Sequence, residues 1–263
     1  GGGDKTCLCP LTGELAEKAV EKYPSPNLPL LGNTFLMAMN KDAKCHTRYG
    51  KTGAEVFPVS LETAAHLDNV LRHITSEDLR FKTWMSVASG KWEGNPKKEK
   101  RDLLICYAEE LPELQNEGLA FLLGGDSDSS DQRFESISSL VCDALRKNRS
   151  SETSSRIRVF VIRKISKGQS QVVLNDFCSV ADLFDAVELW KQAANNHPPY
   201  ALYLPRKKGE KAEKVSYLVP FPSDLLRLLQ YQWVRLGEAD NDKERSKLDG
   251  CPLSSTYNLF FER

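Results

Sequence analysis

The chain has 263 residues, 40% of them hydrophobic and 27% charged, enough to bury a core as one large domain or two ordinary ones. Lysine plus arginine equals aspartate plus glutamate at 36 each, so a nucleic-acid face has to come from charge patterning and not from excess. No apolar stretch approaches the roughly 20 residues of a membrane span, and no signal peptide opens the chain, so no membrane association is expected.

Gly1-Gly2-Gly3, with no methionine, reads as an artificial boundary or as an excerpt of a longer subunit and is left out of fold reasoning. Thr12 reads as the N-cap of a helix over "GELAEKAVEKY". "PSPNLPLLGN" (24–33) holds three prolines and is expected to be irregular. "FLMAM" fits a short buried strand or a turn of helix, and periodicity does not choose between them. Leu67, Val70, Leu71 and Ile74 are at helical spacing behind a Ser60 cap. "SGKWEGNPKKEKR" (89–101) reads as a basic loop, followed by a buried strand over "DLLICYA".

"GGDSDSSD" (124–131) is the best internal linker. A helix with Phe134, Ile137, Val141, Ala144 and Leu145 on one stripe follows, and then a polar loop over 147–156. "RIRVFVIRK" and "QVVLNDF" flank "ISKGQS" as an antiparallel hairpin. Ser179 and Asp182 open a helix whose Leu183, Phe184, Val187 and Trp190 face one way. "ALYLPRKKGEKAEKVSYLVPF" is expected to be a second hairpin with a basic turn, and Ser223 to start a last apolar helix ending at Gly237. The fold class these elements define is α+β, with mixed antiparallel hairpins and packed helices. The expected division is a first α+β region over 4–123, a helix with polar flanks over 124–155, and a second α+β region over 156–263.

Candidate chemistry starts at residues 35–50, "FLMAMNKDAKCHTRYG". Gly50-Lys51-Thr52 suggests a phosphate loop, but the leading glycine that motif needs is Cys45. Cys7, Cys9, Cys45 and His46 supply four soft ligands, yet the spacing falls short of the C-x₂₋₄-C usual in structural zinc sites. A zinc-stabilised interaction module without nucleic-acid contact is therefore the alternative function, and no cofactor is expected. The seven cysteines are mostly scattered singly, which suits reduced thiols in a cytoplasm. There is no G-x-S-x-G, no H-E-x-x-H and no clustered histidine; His66 and His73 read as polar helix surface, and Glu109-Glu110 as a solvated run. No enzyme is expected.

Patterned basic charge remains. The groups are Lys97, Lys98, Lys100 and Arg101; Arg146, Lys147 and Arg149; Arg163, Lys164 and Lys167; and Arg206, Lys207, Lys208, Lys211 and Lys214. Each falls on an expected loop or hairpin tip, where such cations hold phosphate backbones.

"CLCPLTGE", a proline-rich gap, and "FLMAMNKDAKCHTRYGKTGAEVFPVSLETAAHLDNVLRHIT" together resemble the large subunit of the type I-C CRISPR Cascade complex. The matching residues are Thr12-Gly13-Glu14, Asn40, Asp42-Ala43, Tyr49-Gly50, Pro58-Val59-Ser60 and Ala64-Ala65. "RIRVFVIRKISKGQSQVVLNDFCSVADLFDAVELW", "VPFPSDLLRLLQ" and "CPLSSTYNLFFER" resemble later segments of that family, so the resemblance runs in order from about Cys7 to Arg263. Where the family tends to carry glutamine, serine and glycine, this chain has "NLPLLGNT". The chain is expected to be the middle of a large subunit or a shortened relative.

The resemblance implies a non-catalytic subunit of an RNA-guided interference complex. Its implied partners are crRNA, target double-stranded DNA, the Cascade backbone and small subunits, and a helicase-nuclease. It would bind near the motif flanking the target, help open the duplex and present the displaced strand. Asn33, Thr34 and Asn40 are then candidates for base edges, Lys41, Arg48 and Lys51 for phosphates, and Tyr49 for stacking.

Overall fold

The structure is a computed structural model that describes residues 6–18, 23–35, 48, 50, 55–56, 58–92, 95–109, 117–125, 133–147, 155–166, 169–196, 200–204, 213–217, 219–222 and 224. They form helices and antiparallel sheets, the expected α+β class. The chain divides into two compact units, one of residues 1–78 and 164–171, the other of 79–163 and 172–263.

In the first unit, β1 (Thr6–Leu8) and β2 (Leu15–Glu17) pair antiparallel, Cys7 opposite Ala16. This overturns the helix expected after Thr12. Gly13 takes a left-handed φ of 74°, its N–H donates to the Cys9 carbonyl at 2.8 Å, and the chain turns back onto β1. Pairing overrides the helix propensity of "GELAEK". Within the proline-rich segment, expected to be irregular, β3 (Asn27–Leu28) and β4 (Gly32–Asn33) make a two-residue ladder. Helix α1 (Leu61–Ile74) follows, its first turn capped by Ser60 Oγ, which accepts from Thr63 N–H at 3.1 Å. Cys9, Tyr23, Val59 and Ala64 make a small core.

A four-stranded sheet, β5 (Trp84–Trp92), β6 (Asn95–Ala108), β7 (Arg156–Ser166) and β8 (Gln169–Ser179), in that order, belongs to the second unit except for residues 164–166 of β7 and 169–171 of β8, which belong to the first. Of the basic loop expected over 89–101, residues 89–92 and 95–101 are strand instead. Gly90, Asn95 and Pro96 punctuate the sequence as a loop would, but two register shifts, at Ala88/Gly90 and Lys91/Trp92, absorb them.

Period-2 burial in β7 (Ile157, Val159 and Val161 in; Arg156, Arg158 and Phe160 out) explains how one face stays apolar. Packed with that face in one core are α2 (Leu119–Gly124), α3 (Phe134–Lys147) and α4 (Val180–Asn195). Phe81, Phe121, Phe221 and Phe134 run through this core edge to face, at centroid spacings of 5.6, 5.4 and 5.7 Å.

Strand β8 passes straight into α4 through a capping box. Ser179 Oγ accepts from Asp182 N–H at 3.0 Å, and Asp182 accepts from Ser179 N–H at 3.3 Å. β9 (Tyr200–Leu204) and β10 (Glu213–Tyr217) form the expected second hairpin. Pro222 and Asp224 are in a first helical turn, with Asp224 Oδ2 accepting from Phe221 N–H at 2.9 Å, so the opening of that turn falls to Phe221 and Asp224. Ser223, the expected start, and the helix after it are outside the described residues, as are "FLMAM" beyond Phe35 and the linker beyond Gly125.

Candidate nucleic-acid interface

Lys97, Lys98, Lys100 and Arg101 share the first half of β6, where Lys100 is opposite Gly90 and Arg101 opposite Ala88 across a register shift. At about 3.3 Å per residue, Lys97 to Arg101 spans about 13 Å of extended backbone. Over that length one strand of a duplex presents about four phosphates. Arg101 is exposed and anchored: Nε donates to Ser86 Oγ and Nη2 to the Ser86 carbonyl at 3.1 Å. Lys100 is half-buried, and Lys97 and Lys98 are placed by their strand positions.

The antiparallel order sets the end of β7 beside the start of β6, so Arg163 arrives at the same end of the sheet. Its charge is spent internally. Nη2 and Nε of Arg163 donate to Asp102 at 2.8 and 3.1 Å, and Asp102 is 1% exposed. The carboxylate beside it raises the Arg163 pKa further.

The other sequence candidates separate. Asn33 is exposed at the end of β4. Thr34 is buried, its hydroxyl donating to the Gly32 carbonyl at 3.0 Å and its N–H to the Pro26 carbonyl at 2.9 Å, so it closes a turn and offers nothing to a base edge. Arg48 is exposed, and Lys164 is exposed on β7 within the first unit. Asn40, Lys41, Tyr49, Lys51, Lys167, Arg206, Lys207 and Lys208 are outside the described residues. Arg146 is on the last turn of α3 and not on a loop, 3.4 Å from Asp143 and 4.9 Å from the Phe184 ring. Glu109, expected to be solvated, pairs with Arg158 at 2.9 Å.

A group the basic runs did not signal is on the sheet face away from the helices. Tyr107 of β6 stacks with Phe160 of β7 at 6.3 Å and 25°. The Arg156 and Arg158 guanidiniums are 4.8 and 5.3 Å from the ring of Phe177 on β8. Burial pushes the Tyr107 phenol pKa up, and the Glu109 charge adds to it. The signal for this group was in the sequence: in "RIRVFVIRK" every second residue is Arg, Arg, Phe or Ile, with purely aliphatic residues between the first of them.

Cys7 and Cys9, the described half of the zinc candidate, look the same way, as residues i and i+2 of an extended chain do. The Cys7 thiol donates to the Pro58 carbonyl at 3.1 Å, and the Cys9 sulfur is 3.7 Å from the Thr63 hydroxyl. Cys45 and His46 are outside the described residues, and among the described residues no group of three metal-binding side chains converges. His66 and His73 are both exposed on α1. Among the described residues no helix is long and apolar enough to cross a membrane. No family model and no curated protein matches the chain.

Proposed function

We propose that this chain is a non-catalytic, nucleic-acid-binding subunit of the type I-C CRISPR large-subunit kind. It acts in the cytoplasm on crRNA-paired target DNA alongside backbone and small subunits, and it presents the displaced strand to a helicase-nuclease. The observation that carries this reading is the basic half of β6, where Lys97, Lys98, Lys100 and Arg101 follow one another along one strand. Positions 97 and 101 alternate with 98 and 100 along the strand, so it offers two cationic positions to a phosphate backbone on a given side, and base pairing to a guide leaves the protein only shape and backbone to read. The resemblance of the chain's motifs, in order, supplies the complex.

The test is duplex-DNA affinity of the full chain across a salt series. K97E/K98E is expected to weaken binding and to lower the salt slope by about one, because adjacent strand positions face opposite sides and one of the two meets a given backbone. An unchanged slope contradicts the assignment of β6. Co-purification with a short RNA and repeat-type partner subunits tests the complex itself.

A further inference from the structure

The aromatic and guanidinium group on the other face of the sheet has a chemistry that phosphate contacts alone do not use. Phe177 is 46% exposed on β8. Two arginines from the neighbouring strand hold it, at 4.8 and 5.3 Å. They differ in charge balance: Arg158 is paired with Glu109, whereas Arg156 is exposed and meets no carboxylate among the described residues. Beside them the Tyr107 and Phe160 rings, half-buried and stacked, fix the floor of the patch across β6 and β7. The whole group sits within the second unit.

We propose that this patch is a stacking site for an unpaired base of single-stranded nucleic acid. Phe177 offers the part of its ring that the two guanidiniums leave exposed, Arg156 offers the cation for the adjoining phosphate, and the Arg158–Glu109 pair holds the ring in place. An exposed aromatic on a strand takes any base, because every base has a π-face, and a duplex cannot use it because its bases are already stacked. Single-stranded nucleic acid is favoured over an acidic peptide because the exposed hydrophobic surface here is aromatic and planar, flanked by guanidinium groups that stack as well as pair. The site rests on the nucleic-acid reading above but uses different residues from the basic half of β6.

The experiment is fluorescence anisotropy of the full chain with labelled oligo-dT, oligo-U and a blunt duplex, comparing wild type, F177A, F177L, R156A and K97E/K98E. F177A and F177L are expected to weaken the single strands about tenfold while leaving the duplex unchanged. R156A is expected to weaken the single strands and to reduce their salt slope by about 0.7. The dT and U arms separate a DNA strand from an RNA strand, and preference for either supports the site. F177L retains an apolar side chain, so unchanged thermal unfolding of that variant excludes misfolding as the cause. If single-strand binding survives both Phe177 variants while K97E/K98E abolishes duplex binding, the stacking site is wrong and the broader reading stands. If wild type binds none of the three probes, both fall.

Discussion

Arg163 and Asp102 are unequal partners in one ion pair. The carboxylate is 1% exposed, while the arginine side chain keeps 26% of its surface in water. Arg163→Ala leaves a buried carboxylate with its charge uncompensated and is expected to cost about 3 kcal/mol by urea unfolding. Asp102→Ala leaves a guanidinium that can reach solvent, so it is expected to cost less. Equal costs would mean that the pair is held by packing and not by charge.

Cys9 gives a pH dependence at the same scale. N–H groups of Ser60, Leu11 and Thr12, aimed at its sulfur, push the thiol pKa from 9.0 down to about 6 against the opposing effect of burial. A lowered folded-state pKa contributes stability that is complete above pH 9, shrinks as pH falls and is gone below about pH 6. The unfolding midpoint of wild type relative to Cys9→Ala is therefore expected to drop between pH 9 and pH 6. Thiolate absorbance in the ultraviolet checks the same titration directly, and a difference that does not vary with pH contradicts it.

Among the elements, α4 depends on the single polar junction with β8. Ser179→Ala removes one side of the capping box and is expected to cost about 1 kcal/mol in urea unfolding. Helix α2 is fixed by close approach: a Cβ at Gly124 would lie 2.6 Å from Val87 Cγ1 and 3.1 Å from Met85 Sδ. Gly124→Ala is thus expected to lower the melting temperature, unlike most glycine-to-alanine changes in helices. Phe121, at the centre of the aromatic chain and 2% exposed, is expected to cost about 4 kcal/mol when cut to alanine.

These elements were unevenly legible. The Ser60 and Ser179 caps, the α3 stripe and the β7–β8 hairpin each declare themselves by a local rule of capping or period. Residues 89–101 did not, because Gly90 and Pro96 mark loops and bulges alike, and only the pairing partners distinguish them. The Thr12 helix failed for the opposite reason: its helical residues are overruled by a glycine turn and a strand six residues before.

For the whole molecule, what the sequence left open is where charge gathers. A list of lysines and arginines does not say which are spent, and Arg163 and Arg158 are spent on Asp102 and Glu109. It also does not say which runs share an element; β6 alone collects four of the candidates on one strand. The aromatic partners were missed because they are scattered over β6, β7 and β8 and meet only through the sheet.

The central claim is that the β6 cations hold a nucleic-acid backbone, and duplex affinity measured against salt for wild type and K97E/K98E addresses it most directly. The account predicts a steep, linear fall of log affinity with log salt in the wild type and a slope shallower by about one in the variant. A wild type that binds no duplex at low salt, or two parallel lines, would contradict it.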